Sequence, residues 1–188
     1  METPEMINAG DLVLKRWELA WADEAAAAIA ESLPELKPFL PWAKDGYGLG
    51  ESRSFIQMSL DNWAAGTEFN YAIFTTVGDL VGSIGLMTRM APGTLEIGYW
   101  MRTPWAGRGY MTAAVSVLTR IALSLPGVER VAIRYDEANK ASAAVAAKAG
   151  FVEVERTERI PEAPGETPIL ITALAGSPPP GGETPGGR

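Results

Sequence analysis

Between Met101 and Ala114 the chain reads MRTPWAGRGYMTAA. An apolar strand pattern, LEIGYWM, leads into it and an alanine-rich helical run leads out, so the chain must turn from strand to helix across Gly107, Arg108 and Gly109. A second apolar strand pattern, VERVAIRY, follows the helix. Strand, helix and strand in that order build a parallel pair joined by a right-handed crossover. We expect the parallel strands over 95–101 and 128–135.

The flanks are of another kind. LVLKRW (12–17) reads as a strand, and ADEAAAAIAES as a helix with Asp23 near its start, where a carboxylate suits the helix dipole. LPELKPFLPW reads as a proline-broken segment with at most a helical turn. SRSFIQMSLDNWAAG reads as a second helix, with Phe55, Ile56, Ser59, Leu60 and Trp63 on one face and Gly66 as its stop. NYAIFTTVGDLVGSIGLM is a hairpin turning at Val77–Leu80. After the central helix, stopped by Pro126-Gly127, KASAAVAAKAG forms a short helix, and FVEVERTERI and PILITALAG are strands. Antiparallel hairpins around one parallel unit predict an α+β fold with a single mixed sheet. We expect one domain over 1–175 and a disordered Pro/Gly-rich tail over 176–188.

Composition narrows the chemistry. The 188 residues include no cysteine and no histidine, which excludes disulfides, thiolate metal sites, a Cys nucleophile and any Ser-His-Asp triad. Proton transfers must use carboxylates, hydroxyls, water or the substrate. The net charge of −7 argues against nucleic acid and suits a cationic partner such as an amine, although acidity also serves solubility. No apolar run approaches the roughly 18 residues of a membrane span. The start lacks the features of a signal peptide, so a cytoplasmic protein is expected, with no membrane partner.

A glycine turn opening a helix places free N–H groups and the positive end of a dipole together, which suits a phosphate; a bare structural turn would look the same. A Walker loop does not fit, since no Lys-Ser or Lys-Thr follows the glycines. A dinucleotide fingerprint has its first two glycines in Gly107 and Gly109 and an acidic residue in Asp136. Its third glycine position is Thr112, however, and antiparallel strands precede the unit.

One family accommodates these features. EIGYW, GRGYMTAA, NKAS and KAGF, in this order and spacing, together with LVLKRW, FLPWA and LVGSIGL, resemble the GNAT acetyltransferases. Within them the chain is similar to the RimJ/RimL group of ribosomal-protein alanine N-acetyltransferases, over roughly residues 10–174. Ala106 and Met111 depart from the usual Gln/Arg-x-x-Gly-x-Gly/Ala loop, and Met111 is expected to crowd the phosphates. Ala146 stands where many relatives carry a tyrosine acid, and Arg134 where the RimI kind carries a glutamate base.

The resemblance implies a GNAT fold whose mostly antiparallel sheet splays at the parallel pair. It implies acetyl-CoA as co-substrate and no metal. The pantetheine arm would pair with Tyr99, Trp100 and Met101. The pyrophosphate would sit on Gly107, Arg108, Gly109, Tyr110, Met111 and Thr112. Asn139 and Ser142 would flank the thioester, though Asn139 equally suits a plain helix cap. Glu96 is the expected base, through water, and Ser142 the expected acid. Phe39 and Trp42 would line the acceptor pocket, while Trp17 and Trp63 are expected in the core. The acceptor would be an N-terminal peptide or a small amine, and a homodimer is compatible with the group. A non-catalytic acyl-CoA-binding module would share all of this except turnover.

Overall fold

The computed structural model describes residues 1–176. The proposed tail lies outside the described residues except for Gly176, which ends the last strand.

One eight-stranded sheet organises the chain. Its strands are β1 (Met6–Ala9), β2 (Leu12–Arg16), β3 (Glu68–Thr75), β4 (Leu80–Met87), β5 (Thr94–Met101), β6 (Arg130–Asp136), β7 (Val152–Glu158) and β8 (Ile169–Gly176). The spatial order is β1-β2-β3-β4-β5-β6-β8-β7. Every neighbouring pair is antiparallel except β5 and β6. The helices are α1 (Ala22–Leu36), α2 (Leu49–Ala65), α3 (Tyr110–Ser124) and α4 (Lys140–Lys148).

Strand alternation sends side chains to two cores. Leu95 and Ile97 of β5 join Val115, Leu118 and Ala122 of α3 and Ala146 of α4 on one face. Trp100 joins Ala25, Ile29 and Ile56, from α1 and α2, on the other. Trp17 is buried in this second core and donates Nε1–H to Ser83 Oγ at 3.2 Å. Trp63 packs edge-on against Phe69 and Tyr71 beside the first.

Three elements differ from the sequence expectation. α1 continues to Leu36 through Pro34, because a proline in the last turn removes only one backbone hydrogen bond. α2 begins at Leu49, where Glu51 Oε2 accepts the Gly48 N–H at 3.0 Å. The four-residue β1, too short to show a period, pairs with β2 in the register Met6↔Lys15 to Ala9↔Leu12.

Candidate active site

The parallel pair is short. β5 and β6 are in register only from Thr94↔Arg130 to Ile97↔Ile133, whereas β4 follows β5 out to Met101. β6 turns instead to β8, with which it pairs as far as Asp136. Past Ile97 the two strands part, and among the described residues no strand pairs with β5 on that side from Gly98 to Met101. An extended chain can add there as a further strand would.

The glycine turn stands at the outer end of this slot. Gly107 and Gly109 have φ of 75° and 77°, in the left-handed region that glycine enters without the Cβ penalty. A Cβ at either would meet nothing within 4 Å, so the turn presents bare backbone to open space. Gly109 is the N-cap of α3 and supplies no side-chain cap. The first helical hydrogen bond runs from Ala113 N to Gly109 O, 3.0 Å, which leaves the N–H groups of Tyr110, Met111 and Thr112 ahead of it. No acidic residue stands in this first turn. The Met111 side chain goes into the core, only 6% exposed, and so does not crowd the outer side of the turn. Arg108 lies over the Trp105 ring at 4.8 Å and donates to the Pro104 carbonyl at 3.1 Å, while Trp105 stacks on Tyr110.

The opposite wall comes from the start of α4. Asn139 caps it, its Oδ1 accepting the Ser142 N–H at 3.1 Å. The Ser142 hydroxyl lies 2.8 Å from the Tyr99 hydroxyl, a contact that joins β5 to α4 across the slot. Burial pushes the Tyr99 pKa up to about 12, with the Ser142 contact acting in the other direction. Ala146 is buried in the core.

Glu96 has a more confined setting than a free base needs. It sits on the last paired stretch of β5, 3% exposed. Arg89 donates to both its oxygens at 2.6 and 2.9 Å, and Arg134 does the same at 3.1 and 2.9 Å. Burial alone would raise the carboxyl pKa, but the hydrogen bonds and charges of Arg89 and Arg134 outweigh it and lower the pKa below its ordinary value. Arg134 therefore ties β6 to β5 just where the strands separate.

Two loops meet beyond the slot. On the α1–α2 loop, Trp42 lies edge-on to Trp100 at 6.4 Å and beside Tyr47 at 5.8 Å, and is 41% exposed. Phe39 is half-buried on the same loop. The β7–β8 loop reaches it through Gly165 N–H, which donates to Pro38 O at 2.8 Å. That loop is pinned from below by Asp136, which accepts from the Ala138 and Thr167 backbone N–H groups and from Arg159. Burial would raise the Asp136 pKa, and these donors lower it. A Cβ at Gly165 would stand 2.6 Å from Pro38 Cβ and 2.8 Å from its carbonyl oxygen, so the backbones meet only because there is no side chain. Gly165→Val should push the loops apart, lowering stability by about 1–3 kcal/mol. The KM for acceptor should rise while that for acetyl-CoA stays put, as denaturation and steady-state kinetics would show.

The backbone of Tyr99 to Met101, the turn from Gly107 to Thr112 and the start of α4 at Asn139 and Ser142 thus border the opening between β5 and β6, while the Trp100 and Met111 side chains go into the two cores and Trp42 lies against Trp100. The sequence reading missed Arg89 and the contact between Tyr99 and Ser142. Neither has a spacing signal, because each joins residues from separate elements.

The family model described as "Acetyltransferase (GNAT) domain" matches residues 11–152, and the chain belongs to that family. It is an acyltransferase of the class that draws on acetyl-CoA. The same fold occurs in the microcin C7 self-immunity acetyltransferase MccE in complex with acetyl-CoA and AMP. That match has 21% identity and a TM-score of 0.85, covering 93% of this chain and 98% of the other. It occurs also in RimL, a ribosomal L7/L12 alpha-N-protein acetyltransferase in complex with coenzyme A, with 19% identity, a TM-score of 0.83 and coverage of 92% and 98%. Mycobacterium smegmatis RimJ in complex with a CoA disulfide matches at 21% identity and a TM-score of 0.79, over 90% and 83%. No curated protein sequence matches the chain. Among the described residues, no helix is long and apolar enough to cross a membrane.

Proposed function

We propose that the protein moves the acetyl group of acetyl-CoA onto a primary α-amine, by direct attack of the amine within a ternary complex. The observation that carries this reading is the slot itself. It has an unpaired strand edge along its length, uncapped N–H groups behind two left-handed glycines at one end, and a serine hydroxyl on its far wall. Residues 1–175 suffice for it, and the cytoplasm, where acetyl-CoA is available, is the compartment.

In this reading Gly107 to Thr112 hold the pyrophosphate, with Arg108 leaving its stack on Trp105 to add charge. The β5 edge from Tyr99 to Met101 takes the pantetheine amides as an added strand. A backbone N–H of β5 meets the negative charge that develops on the thioester oxygen. Asn139 fixes the first turn of α4, so that Ser142 faces the departing thiolate as its donor. Phe39 and Trp42 contact the acceptor.

The clamp on Glu96 bears on which amine is accepted. With both carboxylate oxygens held by guanidinium groups, we read Glu96 as a strut and not as the base, and the ammonium proton leaves to solvent. An α-amine, with a pKa of about 7.7–8.0, is substantially neutral near pH 8; a lysine amine, near 10.4, is not. That the RimL neighbour is named an alpha-N-protein acetyltransferase agrees with this choice.

Thiol release from acetyl-CoA should therefore be faster with short peptides bearing a free N-terminus than with N-blocked peptides bearing one lysine. The rate should climb with pH along the acceptor's own titration. Preference for the lysine peptide would overturn the α-amine assignment. CoA binding without turnover on any acceptor would favour a sensor module.

A further inference from the structure

The two arms of the slot are tied on both faces of the sheet. On the α1/α2 face, Arg134 of β6 donates to Glu96 of β5. On the α3/α4 face, Tyr99 of β5 meets Ser142 of α4. The first tie stands at the end of the paired stretch; the second spans the open part and involves the hydroxyl assigned above to the leaving group.

We propose that Tyr99 is a positioning residue that donates its hydroxyl hydrogen to Ser142 Oγ, leaving the Ser142 hydrogen free to point into the slot at the CoA sulfur. This rests on the acetyl-CoA reading of the slot and on Ser142 as donor.

A serine hydroxyl has one hydrogen and two lone pairs. If Ser142 spends its hydrogen on Tyr99, none remains for sulfur. If Tyr99 donates, the serine keeps its hydrogen and becomes a better donor, because linked hydrogen bonds polarise one another. A phenol is more acidic than an alkyl hydroxyl, which favours this direction. The alternative acceptor for the phenol, the Ser142 main-chain oxygen, lies farther away at 3.3 Å against 2.8 Å. A Tyr99 pKa of about 12 keeps the phenol protonated at neutral pH. The Asn139 cap holds the Ser142 backbone N–H, which steadies the turn from which the serine hydroxyl meets Tyr99. Over the reaction the nitrogen–carbon bond forms and the carbon–sulfur bond breaks; the amine loses a proton to solvent, and the thiolate, stabilised by the Ser142 hydrogen bond, takes one from solvent. Tyr99 and Ser142 finish as they began.

The test is the acidity of the CoA thiol on the protein, read from thiolate absorbance in ultraviolet difference titrations against bound desulfo-CoA. The bound thiol should have a lower pKa than free CoA in the wild type. Tyr99→Phe, which keeps the ring, should raise it by about half to one pH unit, the worth of one modest hydrogen bond. Ser142→Ala should raise it at least as much, and the double variant no further than Ser142→Ala alone. With a good acceptor, Tyr99→Phe should lower kcat by about 3–10-fold and leave the KM for acetyl-CoA within about twofold. Loss of thermal stability or CoA affinity in Tyr99→Phe with an unchanged thiol pKa would reduce the tie to a structural one and overturn the proposal. So would singles whose effects simply add in the double variant. A wild-type thiol pKa in Ser142→Ala would remove Ser142 as donor, and absence of CoA binding by the wild type would remove the acetyl-CoA reading itself.

Discussion

Gly109→Val is expected to weaken acetyl-CoA binding by about 10–100-fold in a protein that still folds. Valine at φ 77° is strained, by roughly 1–2 kcal/mol, and relieves the strain by rotating the turn. Rotation redirects the N–H groups that open α3, and each charge-assisted hydrogen bond lost is worth about 1.5–3 kcal/mol. A Cβ at this position meets nothing within 4 Å, so packing adds no further penalty to folding. Gly10, in the β1–β2 turn, makes the matching control: its φ is 64° and it too has open space around it. Gly10→Val should lose comparable stability and no CoA affinity. Calorimetric titration of both variants, beside their thermal melts, separates the two effects. Equal CoA affinity in the two would remove the phosphate site from this turn.

Glu96→Gln is expected to reduce folding stability at neutral pH by about 1–3 kcal/mol, because it leaves Arg134 and Arg89 without the carboxylate that both clasp. The exposure of their side chains, 33% and 54%, lets water take part of the load and keeps the figure below that of a fully buried pair. The sign with pH follows from the lowered folded-state pKa. Unfolded, the carboxyl titrates near 4.3. The clamp's contribution is therefore complete above that value and is lost as pH falls through the lower folded pKa. The wild type should lose this increment of stability on the acid side of about pH 4, and Glu96→Gln should lack that component. Denaturant unfolding over a pH series would show it. In activity the variant should slow evenly across pH, since a strut matters at every pH. A deficit confined to low pH, with recovery at high pH, would restore Glu96 as the base.

What was legible in the sequence follows a physical division. Period and punctuation are local, so the strand–turn–helix unit at Met101–Ala114 and the hairpin after Asn70 could be read directly. The glycine turn could be read as a left-handed turn opening a helix; its ligand could not, because a bare structural turn has the same residues. Asn139 also read correctly as a cap, its local role being visible in NKAS. Pro34 misled, because the residue that breaks a helix interior is tolerated in a last turn. Glu96 was recognisable as a carboxylate beside the site. Its partners were not, since Arg89 comes from a loop and Arg134 from a strand 38 residues away. The distance from Tyr99 to Ser142, 43 residues, hides their contact in the same way. Sequence spacing names the groups; only the sheet order says which of them meet.

The central claim is acetyl transfer within this slot. The most direct measurement is mass spectrometry of a peptide mixture with free N-termini, incubated with the protein and isotopically labelled acetyl-CoA. The account predicts labelled acetyl groups on N-terminal nitrogens, strongly diminished when Gly109→Val replaces the wild type at the same acetyl-CoA concentration. Peptides left unlabelled by a wild type that binds acetyl-CoA, or labelling unaffected by Gly109→Val, would contradict it.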